Sequence, residues 1–136
     1  MKFLRGVGGA IVGLAIAFCG VMAAEAISHQ FYPPPPGMDP FHPDMAQLKA
    51  FIATLPAPAF LLVLSGHLLG TLAGTFAAAK LGGSAIPAYV VGTILLAAGI
   101  GNAFMIPQPA WFSAVSIVGY VVMTLVGARL GRGGAS

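Results

Sequence analysis

The sequence predicts an all-α membrane protein: four transmembrane helices in an up-down-up-down bundle, with a short amphipathic helix in the first outward loop. Of its 136 residues, 58% are hydrophobic and 7% are charged, whereas a soluble domain carries roughly 25% charged residues. Four apolar stretches each have about the 20 residues that a helix needs to cross a bilayer. We interpret residues 1–136 as a single membrane domain.

The predicted transmembrane spans are residues 6–27, 57–79, 85–106 and 109–128. Helices are expected because a segment inside the bilayer must satisfy its backbone hydrogen bonds internally. Short turns separate the last three spans, so neighbouring helices are expected to be antiparallel. The turn between the last two contains Pro107-Gln108-Pro109.

The connection between the first two spans, residues 28–56, is long and rich in proline. Its four consecutive prolines, residues 33–36, favour a stiff polyproline II segment. Asp44 and Gln47 then fit a capping box at the start of a helix. Apolar residues recur at helical spacing over residues 45–55, which predicts an amphipathic helix lying on the membrane surface.

The basic residues predict the orientation of the chain. One side of a four-helix arrangement holds five of the six basic residues, and the other side holds Lys49. The positive-inside rule therefore predicts that both termini are cytoplasmic, in a bacterial inner membrane. As an alternative, Ala24-Glu25-Ala26 resembles a signal-peptide cleavage site, although the apolar run before it is longer than usual. The five basic residues are Lys2, Arg5, Lys80, Arg129 and Arg132.

Glycine spacing predicts close helix packing at two places. Gly66, Gly70 and Gly74 repeat every four residues in the second span, and Gly9 and Gly13 form a similar pair in the first. Such stripes allow the backbone of a neighbouring helix to approach closely. The expected neighbour is another helix of the same chain; a second copy of the chain is the alternative.

His67 is predicted to lie near the bilayer midplane, about ten residues into its span. Ionisable groups at that depth face the bundle interior and mark proton relays or ligand sites. A haem bound between helices normally requires a second histidine at similar depth, and the sequence has none. The competing interpretation is a neutral histidine with a hydrogen-bonding neighbour. The candidates for that neighbour are Ser65, Ser113, Ser116 and Tyr120.

A second group of polar residues is predicted near the outer face. Glu25 and His29 are four residues apart, which places them on one helix face if the helix continues that far. Asn102 is expected near the same surface. In one interpretation, it forms an interhelical hydrogen bond with Glu25. A divalent metal site is the alternative. That site would combine Glu25, His29, Asp39, His42 and Asp44.

Several classes of function are disfavoured. The sequence has no P-loop, no dinucleotide-binding glycine motif after a strand and no Ser/His/Asp arrangement, so an enzyme is not favoured and no cofactor is predicted. The basic residues form no run or stripe, so nucleic acid is not an expected partner. Cys19 is the one cysteine, which excludes an internal disulfide, and its apolar surroundings predict a small core residue.

Two short segments carry a resemblance to known proteins. The first runs from Glu25 through Ser28-His29 and Tyr32-Pro33 to Gly37-Met38-Asp39, and the second is residues 106–112. With them the chain resembles small four-helix bacterial membrane proteins that remain uncharacterised. The resemblance implies the four-helix layout and no activity.

The small multidrug transporters are also similar in size, with an essential glutamate in their first helix. Here Glu25 is predicted at the end of a helix, and those transporters lack a long proline-rich first loop. Both departures put drug export in doubt for this chain.

Three functions are compatible with the sequence. The first is a structural or accessory membrane protein, with the bilayer and a homo-oligomer or larger membrane complex as its partners. The second is a small oligomeric transporter or channel that uses His67 and Glu25. The third is a membrane-embedded binder of a metal or cofactor. Packing features dominate the polar ones, and this favours the first function.

Overall fold

The computed structural model describes residues 2–39, 42, 44–106 and 108–132, and these residues form helices and no strand. Four of the helices are long and apolar enough to cross a membrane, which confirms the predicted all-α class with four spanning helices. Pro107, in the predicted turn before the last span, lies outside the described residues. The helices are α1 (Lys2–Phe31), α2 (Met45–Thr54), α3 (Ala57–Gly82), α4 (Ile86–Met105) and α5 (Ala110–Arg132).

The greatest difference from the predicted spans is the length of α1. It continues four residues past the predicted end and stops at Phe31, where the Tyr32 amide still donates to the Ser28 carbonyl (2.7 Å). The residues Ser28, His29 and Gln30 are polar, so the hydropathy pattern ends before the helix does. Glu25 consequently lies inside α1, six residues before its end.

The four spanning helices alternate in direction around α3. α3 contacts α1, α4 and α5, and α4 also contacts α5 and α1. In the described part of the chain α1 and α5 do not touch each other. One end of the bundle carries Lys2, Lys80 and Arg129 and is called the basic end; the opposite end, where α1 leads into the loop, is called the loop end.

The α1–α3 interface is a backbone-to-backbone contact made possible by glycine. A Cβ atom on Gly9 would stand 2.7 Å from the Ala78 carbonyl oxygen, and one on Gly13 would stand 2.5 Å from that of Gly74. A Cβ atom on Gly70 would likewise stand 2.9 Å from the Ala17 carbonyl oxygen. The two predicted glycine stripes therefore pack on one another within this chain.

Small residues also set the distance between the other helices. Gly127 of α5 lies against Thr75 of α3, whose hydroxyl is 3.3 Å from the Met123 carbonyl oxygen. Gly92 of α4 faces Thr124 of α5. Because α3 and α5 run in the same direction, the contacts between them follow a parallel register, from Leu68 against Gly119 to Ala79 against Gly131.

The connection between α1 and α3 contains the predicted proline-rich segment and the predicted short helix, α2. The chain reverses at Gly37, whose positive φ of 84° fits the third position of a turn closed by the Met38 amide on the Pro35 carbonyl (3.2 Å). Asp44 caps α2 as predicted, accepting from the Ala46 amide at 3.1 Å. Among the described residues, the backbone of α2 does not approach any of the four spanning helices to within 8 Å between Cα atoms.

At the basic end, Gly83 terminates α3 in the left-handed conformation (φ 76°), and its amide bonds the Ala79 carbonyl. Arg5 of α1 reaches across and donates its Nε to the Leu81 carbonyl at 2.7 Å. The guanidinium thus satisfies a free carbonyl at the negative end of the helix dipole. The arginine that the sequence assigns to topology also links two helices.

Replacing Arg5 with alanine is expected to lower the free energy of unfolding by about 0.5 kcal/mol, because the last turn of α3 loses a charged donor. Amide hydrogen exchange should accelerate at Gly83 and in the preceding turn. Lys2→Ala is the matched control, since Lys2 carries the same charge on the same helix and is exposed. Equal exchange in the two variants would contradict the capping role.

One prediction about the core is wrong. Cys19 was expected as a small core residue, yet its side chain is exposed. The residues of α1 that pack on α3 include Gly13, Ala17 and Gly20. Cys19 is two residues beyond Ala17, roughly 200° around the helix, so it points away from α3 toward the surroundings of the bundle.

Candidate functional site

The polar centre of the bundle is a hydrogen bond between α3 and α5. The Tyr120 hydroxyl lies 3.1 Å from His67 Nδ1, and the two rings are nearly parallel, with centroids 6.0 Å apart. Tyr120 is one of the four partners that the sequence offered for His67. Gly99 of α4 gives the tyrosine ring its space, because a Cβ there would stand 2.5 Å from the ring carbon Cε2.

Aromatic rings close this pair on the side of the loop end. Phe112 lies 6.2 Å from the His67 ring, and Phe60 lies 5.6 Å from Phe112. Trp111 completes the cluster, 6.0 Å from both phenylalanines. The tilted and edge-to-face arrangements are those that aromatic pairs favour. They restrict the positions that the imidazole can take.

Two threonines bond the backbone beside the pair. Thr71 donates its hydroxyl to the His67 carbonyl, and Thr124 donates to the Tyr120 carbonyl, each at 2.6 Å. Each threonine is four residues after the residue whose carbonyl it bonds, so each hydroxyl bonds the backbone of its own helix. These threonines were not identified from the sequence. The spacing that indicates them is present in the sequence, since a threonine follows both His67 and Tyr120 by four residues.

Ser116 is the exception among the polar groups of the centre. Its residue is 5% exposed, and its Oγ is the one buried side-chain oxygen or nitrogen in the described chain that has no hydrogen-bond partner. Ser116 lies one turn from Phe112 and one turn from Tyr120, on the same face of α5. The sequence offered it as a partner of His67, but the direct bond of His67 is to Tyr120.

Glu25 lies closer to this centre in depth than the sequence indicated. Gly13 packs on Gly74 and Ala24 packs on Gly66, so Met22 is level with His67. Glu25 is then three residues, about 4.5 Å, further toward the loop end. Glu25 is partly buried, and its side chain makes no hydrogen bond or ion pair within the described chain.

The remaining predicted site residues are not brought to this centre. His29 and Asn102 are exposed, and in the described chain Asn102 makes no bond to Glu25. In the loop, the His42 amide bonds the Asp39 carboxylate at 3.2 Å. The described residues include no group of three or more His, Cys, Asp or Glu side chains placed to hold a metal ion.

The arrangement can hold and exchange protons at one point. When the Tyr120 hydroxyl donates to Nδ1 of His67, Nε2 carries the imidazole proton and is left for another partner. The same hydrogen bond joins α3 to α5 near the middle of the bundle. The lack of a side chain at Gly99 allows α4 to pack closely against the Tyr120 ring. The site therefore has a packing role, and Nε2 of His67 remains available for a further hydrogen bond.

The chain matches no protein-family model, no curated protein and no solved structure when it is compared with each.

Proposed function

We propose that this chain is a structural or accessory protein of a bacterial inner membrane, with no chemistry of its own, which works as part of a larger membrane complex. The observation that carries the proposal is the bond between His67 and Tyr120. The most polar residue at mid-depth joins two helices and is surrounded by aromatic rings, as expected of a packing element.

The orientation that belongs to this proposal has both termini in the cytoplasm. Its support is the basic end, where α1 begins, α3 ends and α5 ends. The three acidic residues, Glu25, Asp39 and Asp44, all lie toward the loop end. The placement of the basic residues at the opposite end agrees with the positive-inside rule.

The segment proposed to meet the partner is the loop with α2. No Cα atom of α2 lies within 8 Å of a Cα atom of a spanning helix in the described structure, so α2 is not part of the close-packed bundle. Its apolar face, which includes Leu48 and Phe51, is partly buried, whereas Lys49 on the other side is exposed. We propose that the apolar face rests on the outer leaflet and the Lys49 face meets a partner protein.

A small oligomeric transporter or channel is the second candidate, and one observation favours it. Glu25 and His67 are one turn apart in depth, and both are partly buried. Glu25 lies at the edge of the packed face of α1, between the partly buried Leu14 and the exposed Phe18, and is itself partly buried. An ionisable residue in that position is a candidate transport group.

Site-specific photocrosslinking in native membranes tests the accessory role. A benzophenone amino acid replacing Lys49 is expected to give a discrete product heavier than the chain mass of 13.7 kDa and different from twice that mass. The same probe at Val118, which is 62% exposed on α5, is the control and should give no discrete product. A product of twice the chain mass would indicate a homo-oligomer, and no product from Lys49 would contradict a partner at α2.

A flux assay separates the second candidate from the first. Purified protein in liposomes with an internal pH dye is expected to dissipate a proton gradient no faster than protein-free liposomes. Dissipation that is lost in both Glu25→Gln and His67→Gln would contradict the accessory role and support transport. Asn102→Ala, a change at an exposed polar residue of α4, is the control.

A further inference from the structure

We propose that α1 and α3 together bind one anionic phospholipid, with its phosphate at Arg5 and an acyl chain in the groove between the two helices. This site does not depend on which of the two functions is correct. Its support comes from the apolar groove, from the position of Arg5 relative to that groove, and from the distribution of charge along the chain.

A groove of about 410 Å³ runs between α1 and α3, and none of the residues that line it belongs to α4 or α5. The one polar side chain in the lining is Ser65, whose hydroxyl donates to the Leu61 carbonyl at 2.8 Å. The groove therefore offers no free side-chain donor or acceptor, and a hydrocarbon chain is the ligand that fits its chemistry. The lining residues include Ile16, Gly20, Ala23, Ser65, Leu69 and Ala73.

Arg5 lies on the same side of the two helices as the groove. Leu69 and Ala73, four residues apart, line its α3 wall. Two further steps of four residues lead to Leu81, whose carbonyl accepts from Arg5 Nε at 2.7 Å. Residues at this spacing form one continuous ridge on a helix surface. Arg5 is therefore at the basic end of the ridge that borders the groove.

The distance between Arg5 and the groove suits a phospholipid. Leu81 is eight residues beyond Ala73, which is about 12 Å along the helix axis. One leaflet contributes about 15 Å to the hydrocarbon core of a bilayer. A lipid whose headgroup is at Arg5 can therefore extend a chain along the ridge and into the near end of the groove.

The charge at this end favours an anionic headgroup. Arg5 is exposed, and in the described chain its guanidinium uses one of five N–H donors, leaving the others for a phosphate. Gly83 allows the guanidinium to lie against the end of α3, because a Cβ there would stand 3.0 Å from Cζ and Nη1. The three acidic residues of the chain are all toward the loop end, so none of them neutralises Arg5. Basic sites between transmembrane helices bind anionic headgroups in the same way.

Native mass spectrometry tests the headgroup part of the site. Protein is released from micelles that contain equal amounts of phosphatidylglycerol and phosphatidylcholine with identical chains, and the lipids retained are counted. We expect the unmodified protein to retain phosphatidylglycerol about fivefold more than phosphatidylcholine, the ratio for one basic residue at a membrane surface. Arg5→Gln should lose this preference. Arg132→Gln, with the same loss of charge at the same end of the bundle, is the matched control and should keep it.

A second pair of variants tests the groove. Ala73→Leu places a larger side chain in the groove at an exposed position, so we expect it to lose most of the retained lipid of both kinds. Ala97→Leu is the matched control, because Ala97 is an exposed alanine of α4 outside the groove. Its lipid retention should equal that of the unmodified protein.

Three results would overturn the proposal. Equal retention of the two lipids by the unmodified protein would leave the groove to a helix of a partner or of a second copy. Equal losses in Arg5→Gln and Arg132→Gln would show a diffuse attraction of charge in place of a site at Arg5. Equal retention in Ala73→Leu and Ala97→Leu would show that no chain occupies the groove. The comparison of the two lipids needs only the unmodified protein, so a variant that fails to fold does not prevent a decision.

Discussion

Gly74→Val is expected to lower the free energy of unfolding by about 3 kcal/mol, at the upper end of the usual cost of overpacking. A Cβ at Gly74 would overlap the Gly13 carbonyl oxygen and stand 3.0 Å from the Ala17 Cβ. Both neighbours are fixed, one as backbone and the other by the contact of Ala17 with Gly70. The α1–α3 interface must therefore separate along its length. Denaturant titration in lipid–detergent bicelles, followed by circular dichroism, measures the change.

Gly101→Val is the matched control, because a Cβ at Gly101 of α4 meets nothing within 4 Å. The two variants share the same change in side chain and the same helical setting, so their difference isolates the contact. We expect the control to stay within about 0.5 kcal/mol of the unmodified protein. Similar losses of stability in both variants would show that the glycine contact does not hold α1 on α3.

Tyr120→Ala is expected to lower the free energy of unfolding by about 3–5 kcal/mol, the range for removing a large buried aromatic side chain. Tyr120 is 5% exposed, stacks on His67 and fills the space over Gly99. Its removal leaves contacts unmade on both α3 and α4. The same titration, with a thermal melt as a second measurement, gives the size of the effect.

Two further variants separate the ring from the hydroxyl. Tyr120→Phe keeps the ring and loses the bond to His67, so a smaller loss of about 1 kcal/mol is expected. Tyr89→Ala on α4, where the tyrosine is 43% exposed, should have little effect. If Tyr120→Phe were as damaging as Tyr120→Ala, the hydrogen bond rather than the packing would dominate the centre of the bundle.

The spanning helices could be predicted because bilayer thickness and hydropathy determine them. The spans 57–79, 85–106 and 109–128 agree with α3, α4 and α5 to within four residues at either end. The end of α1 could not be predicted from hydropathy, because Ser28, His29 and Gln30 are polar yet helical. Polar residues near a membrane surface are compatible with both a helix and a loop.

The centre of the bundle could be predicted only in part. Depth along the sequence indicated that His67 needs a polar neighbour, and it gave four candidates. The choice of Tyr120 depends on the rotation of α5 relative to α3, which is determined by contacts such as Gly127 against Thr75. Neither the register of two helices nor their rotation is encoded in the hydropathy of either one. For the same reason, the depth of Glu25 relative to His67 became visible only in the packed chain.

The central position of α3 also has a consequence for the way the chain is made. Membrane proteins are synthesised from the N-terminus, and domains begin to fold in that order. α1 finds its backbone partner in the very next span, and α4 and α5 each have contacts with a span that was made before them. We therefore expect the helices to assemble in the order in which they are synthesised. Each newly inserted helix can pack on a helix that is already in the bilayer. We therefore expect the bundle to form by sequential addition of helices, without a span that remains unpacked until a later one is made.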